Sequence, residues 1–157
     1  MSAIETKLKA MGYTLPEPFV FPKNNRRGCV RAGHILYVSG HGLNLPALPG
    51  VRQTGKFGVD ISEEEGYATA RAVALTMLAS IKQEIGSLDK VKQVIRLFGM
   101  CNAAPDYAKM PQVIDGASDL FFELFGPAAG CHARTAVGMA ALPRGIAVEI
   151  NGEFEVS

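Results

Sequence analysis

A chain of 157 residues with 48% apolar side chains is long enough to bury a substantial core and reads most simply as one domain spanning 1–157. Sixteen Lys and Arg stand against 15 Asp and Glu, a net charge of +1, so no basic stripe is on offer to phosphates and nucleic acid is not expected as a partner. Three cysteines, Cys29, Cys101 and Cys131, lack CxxC or Cys/His spacing, no apolar signal core opens the chain and no run reaches membrane length. These features predict a soluble cytoplasmic protein in a reducing compartment, with neither disulfide framework nor zinc site nor membrane contact.

Ser2 and Glu5 form a capping-box pattern, Ile4, Leu8 and Met11 share one helical face, and Gly12 supplies a stop, which predicts a short leading helix. Pro16, Pro18 and Pro22 then exclude regular structure up to a polar run ending in Arg26-Arg27-Gly28, which reads as a solvated loop or an anion contact. Cys29-Val30-Arg31 and Ile35–Ser39 bracket Ala32-Gly33 as a β-hairpin, its second strand ending at Gly40-His41-Gly42. Glycines there let other groups approach the backbone closely. His41 between them is either a loop histidine with local hydrogen bonds or a pocket-rim group titrating near neutrality.

Residues 43–60 form a long connection. Ser62 followed by Glu63, Glu64 and Glu65 caps the longest helix, whose apolar positions from Tyr67 to Ile85 repeat at helical spacing until Gly86. A β-branched run, Val91–Met100, predicts a strand closed by Asn102–Asp106. Val113, Ala117, Leu120, Phe121 and Leu124 mark a second amphipathic helix with Pro111 near its start and Gly126-Pro127 beyond its end. Gly116 inside it costs about 1 kcal/mol of helix propensity against Ala, so packing or a ligand should require it.

Two strand-like runs close the chain around a Leu-Pro-Arg-Gly turn signal. In the first, His132, Arg134, Ala136 and Gly138 alternate onto one face; in the second, Ile146, Val148, Ile150, Phe154 and Val156 face the helices, with Glu149, Asn151, Glu153 and Glu155 opposite. A charge among small and β-branched neighbours requires a partner. Arg134 offers a planar fork for a carboxylate, and Glu149 can polarise a water if its surroundings raise its pKa. The plainer reading pairs Arg134 and Glu149 with each other or with a subunit neighbour.

The Ala133–Val137 pentapeptide, the later Leu142-Pro143 and the run Val148-Glu149-Ile150 resemble the C-terminal signature of the Rid (YjgF, reactive intermediate deaminase) family, once labelled endoribonuclease L-PSP. Leu36–Gly40 and the Glu65–Ile85 helix extend the likeness, leaving 1–24 as an N-terminal extension. The resemblance implies an α+β, chorismate-mutase-like fold, a mixed sheet with two helices on one face, and a homotrimer with a barrel-like core and clefts between subunits. It implies hydrolysis of small carboxylate-bearing enamines or imines to 2-keto acids and ammonia, without metal or organic cofactor. The carboxylate-binding arginine falls on Arg134, the water-associated glutamate on Glu149 and the strand-end contacts on Ser39 and Gly40, with His41 where glutamine is usual and Asp115 at a helix position that is often asparagine. The chain departs from the family near Arg26, where a tyrosine is usual, and at Ala136, where a cysteine is. A trimer that binds a metabolite without turnover is the competing expectation.

Overall fold

The computed structural model describes residues 2–44 and 49–157, so part of the 43–60 connection lies outside the described residues. The leading helix α1 (Ala3–Ala10) starts as predicted, Ser2 Oγ accepting from the Glu5 N–H at 3.1 Å. Its first free amides, those of Ala3 and Ile4, donate to the Asp89 carboxylate at 2.9 Å each, which holds that carboxylate below its ordinary pKa. The extension is thereby tied to the body of the protein.

The hairpin β1 (Cys29–Ala32) and β2 (Ile35–His41) comes next, and then helix α2 (Glu63–Ile85), where both halves of the Ser62/Glu65 capping box are formed. Strand β3 (Val91–Asn102) runs two residues further than its β-branched stretch. Helix α3 (Met110–Ala129) breaks at Gly126, whose φ of 79° is open to glycine, and resumes for one turn at Pro127, so the Gly-Pro signal interrupts the helix instead of following it. Strands β4 (Ala133–Met139) and β5 (Val148–Val156) flank the turn at Pro143–Gly145.

The sheet order is β1-β2-β5-β3-β4, with β3 and β4 parallel and every other pair antiparallel. The two final strands are therefore not neighbours; β3 separates them. Helices α2 and α3 cover one face, burying Val73, Met77, Ile114 and Phe121 against Leu36, Leu97, Ile150 and Phe154. Gly116 has a packing reason: a Cβ there would fall on the Tyr67 carbonyl oxygen of α2, so its absence sets how closely the two helices approach. The other face carries Glu149, Asn151 and Glu153, the paired Arg96 and Glu153, and the exposed Val30, Tyr37 and Met139. Among the described residues no helix is long and apolar enough to cross a membrane.

Cys29 and Cys101 are buried with thiols pushed up to about 12, which makes them packing groups rather than nucleophiles, while Cys131 is exposed.

Candidate functional site

Strand register decides where the candidate residues meet. Arg134 lies opposite Leu97 and Glu149 opposite Met100, positions three apart and of opposite parity on β3, so their side chains leave opposite faces of the sheet. Three residues along the strands and two strand spacings across place their backbones about 14 Å apart. They do not pair with each other.

Arg134 points toward α3. Its Nη1 donates to Asp115 Oδ1 at 2.7 Å and to Ser118 Oγ at 3.1 Å. Ser118 Oγ lies 3.0 Å from His132 Nε2, and His132 Nδ1 lies 2.7 Å from the Gly130 carbonyl. With Nδ1 protonated to donate to that carbonyl, Nε2 accepts from Ser118, leaving the serine oxygen free to accept from Arg134. Arg134 and Asp115 thus form one polar cluster on an edge strand, where the Arg134 side chain is 21% exposed.

Glu149 has a different setting. The pairing of β2 with β5 slips between Val38, opposite Gly152, and His41, opposite Ile150, so Ser39 and Gly40 face the single residue Asn151. This bulge reverses the alternation of β2. Gly40 turns toward Glu149, and a Cβ on it would lie 2.8 Å from Glu149 Oε1; only glycine leaves the carboxylate its place. The Ser39 hydroxyl donates to the Arg27 carbonyl at 2.6 Å and its amide to the Gly28 carbonyl at 2.9 Å, fastening the end of the N-terminal strap to the bulge.

His41 is moved to the helix side and is a strand residue, not a loop one. It is 2% exposed, with Nδ1 2.6 Å from the Ser39 carbonyl and Nε2 2.8 Å from Ser80 Oγ on α2. Burial lowers its pKa and the bond to Ser39 opposes the shift. Both ring nitrogens are engaged inside the protein, so of the two readings of His41 the one with local hydrogen bonds describes it, while the ring still lines the cavity beside Glu149.

Glu149 borders a cavity of about 270 Å³ at the sheet end where β2 stops and β5 begins. It is lined by Gly40, His41 and Ile146, by Arg144 and Gln53, and by Phe19, Phe21 and Arg26 of the strap. Burial raises the Glu149 pKa, and the charge of Arg144 partly offsets the rise. Among the described residues Glu149, Arg26 and Arg144 take part in no ion pair. Arg144 has φ of 56°, a conformation uncommon for a residue with a side chain. Such a carboxylate, half-buried and unpaired, is suited to taking a proton from water and returning it. Among the described residues no three His, Cys, Asp or Glu side chains are grouped to hold a metal.

Gly40, His41 and Glu149 are legible from the sequence as one neighbourhood; Phe19, Phe21, Gln53 and Arg144, which join them at the cavity, are not. The prolines around the two phenylalanines signalled only irregular backbone, and nothing in the alternation of β2 announced the bulge.

A mixed five-stranded sheet with helices on one face and a polar strand end on the other defines an α+β protein of the chorismate-mutase-like type. The chain belongs to the "YjgF/chorismate_mutase-like, putative endoribonuclease" family, which matches residues 5–147. It is 37% identical over 155 residues to Protein TCP17 of Trypanosoma cruzi, covering 98% of this chain and 94% of that one. The crystal structure of Atu1372, a protein of unknown function from Agrobacterium tumefaciens, superposes with a TM-score of 0.87 at 35% identity, over 98% of this chain and 92% of that one. The Rid protein YyfA of Yersinia pestis shares the fold at 21% identity, with a TM-score of 0.58 over 92% of this chain and 96% of that one.

Proposed function

We propose that the protein hydrolyses small carboxylate-bearing imines or their enamine tautomers to 2-keto acids and ammonia in the cytoplasm, as a homotrimer with its sites in clefts between subunits. The observation that carries this reading is Glu149: an unpaired, half-buried carboxylate of raised pKa, kept in place by the Gly40 bulge beside an open cavity. Glu149 removes a proton from a water as its oxygen bonds to the imine carbon, and the C=N electron pair moves to nitrogen. Glu149 then gives its proton to the nitrogen of the carbinolamine, the C–N bond breaks to release ammonia, and the hydroxyl group returns a proton to Glu149 as the C=O bond forms. A protonated imine is already electrophilic, so positioning and charge complementarity suffice.

Arg134 holds the substrate carboxylate in this reading. Because Arg134 and Glu149 of one chain lie on opposite faces, only a neighbouring copy can bring the two functions to one substrate. The exposed Val30, Tyr37 and Met139 on the helix-free face favour such association. Arg134 then exchanges part of its bonding to Asp115 and Ser118 for the ligand, and Gly40 lends backbone contact at the bulge.

The test couples the protein to an enzyme that releases 2-aminoacrylate or a related imine and compares keto-acid appearance with wild type, Arg134→Ala and no protein. Acceleration by the wild type alone is the expected result. No acceleration across imines of several sizes, together with saturable stabilisation by a 2-keto acid, overturns turnover and leaves a metabolite-binding protein.

A further inference from the structure

We infer that the Glu149 cavity selects 2-imino and 2-oxo acids with a bulky apolar side chain, preferably aromatic, and that Phe19 and Phe21 of the N-terminal strap are the residues that read it. The inference deepens the proposed reaction and rests on Glu149 marking its site.

The strap crosses the sheet end as irregular backbone fixed at both sides. Asn44 Nδ2 donates to the Glu17 carbonyl at 2.8 Å before it, and Ser39 holds the carbonyls of Arg27 and Gly28 after it. Farther back, Tyr13 Oη accepts from Arg71 Nε at 2.5 Å, and Arg71 bonds Glu123 of α3. The span between these anchors places Phe19 and Phe21 edge to face, 4.9 Å between centroids, with the Arg26 guanidinium 5.3 Å from the Phe21 ring and Ile146 lining the same cavity. The apolar rings beside Glu149 make a wall for a side chain; of the two cations lining the cavity, Arg144 answers the Glu149 charge and Arg26 lies against the Phe21 ring.

A second cavity of about 350 Å³ lies on the far side of the strap, floored by Gly28 and Ser80 and bordered by the same Phe19, Phe21 and Arg26. The two rings line both spaces, so the wall they form is not backed by core along its whole extent.

Calorimetry on the full chain with phenylpyruvate, 2-oxobutyrate and 2-oxoglutarate tests the inference, using wild type, Phe19→Ala and Phe21→Ala, each confirmed folded by circular dichroism. Phenylpyruvate is expected to bind at least about tenfold more tightly than the other two, roughly the effect of one ring contact worth 1.4 kcal/mol. One or both substitutions should reduce that preference to within about threefold, the loss falling mainly on phenylpyruvate. Equal or weaker binding of phenylpyruvate, tightest binding of 2-oxoglutarate, binding of none of the three, or a preference that survives both substitutions overturns it. Preference without imine hydrolysis removes the deaminase reading alone; hydrolysis without preference removes this one alone.

Discussion

Arg134 and Glu149 carry opposite charges on one sheet and are served in opposite ways. Arg134 is surrounded by groups that answer it, the Asp115 carboxylate and the Ser118 hydroxyl, with His132 behind the serine. Glu149 is left without an ion-pair partner among the described residues and lies beside a space, and burial drives its pKa up. On the proposed reading the satisfied cation is a holding group whose geometry is set beforehand, and the unsatisfied carboxylate, its pKa raised by burial, is the group that takes up a proton. On that reading binding and chemistry are separated before any substrate is present.

The sharpest way to break that division is Glu149→Gln. Turnover should fall by about 10²–10⁴-fold with carboxylate-ligand affinity retained, seen by steady-state kinetics beside calorimetry. Its stability should move the other way. Because the folded pKa of Glu149 is raised, its favourable contribution is complete below the ordinary carboxylate pKa of about 4.3 and is lost as pH rises through the folded value. The melting temperature of Glu149→Gln should therefore exceed that of the wild type at pH 8, and the gap should close in acid.

Arg134→Ala comes next, with carboxylate-ligand affinity falling about 10–100-fold and native secondary structure kept, as one charge-assisted contact predicts. Unchanged affinity in the folded variant would sink the holding role. Gly40→Ala should cost about tenfold in kcat, since the added Cβ displaces the Glu149 carboxylate, with little change in ligand affinity. Smallest is Asp115→Asn, which weakens a pair exposed at 21% and 48% on its two side chains and should lower stability by only about 0.2–1 kcal/mol in denaturant titrations. A larger loss would mean that the Arg134 cluster supports the fold.

His41 gives a separate check on the bulge. Its lowered pKa means its contribution is present above about pH 6.5 and disappears as pH falls through the folded value. The wild type should lose melting temperature over that acid range more steeply than His41→Gln.

These contrasts also mark what was legible in the chain. Helix α2 was, because Ser62, Glu65 and Gly86 state its ends and the apolar spacing from Tyr67 to Ile85 states its face. The two-sided character of β5 was, because period-two alternation is local. The position of β5 between β2 and β3 was not, because side-chain period says nothing of which strand lies alongside. That missing neighbour is why Arg134 and Glu149, 15 positions apart with the same signature, read as one site in sequence and stand on two faces in space. His41 was misplaced for a related reason: the extra residue at Ser39-Gly40 shows only in the pairing.

The insertion of the last strand into the middle of the sheet also sets an order of events in making the protein. The hairpin and β3 are synthesised early, yet they share no edge until β5 arrives, with Ile35 opposite Glu155 and Val94 opposite Phe154. Until then the nascent chain carries two half-sheets with unpaired strand edges, the kind of surface that seeks pairing elsewhere, and closing them demands contacts of long sequence separation. A message cut anywhere between α3 and Val148 would yield halves with no common strand, and Glu149 would be missing along with the strand that joins them.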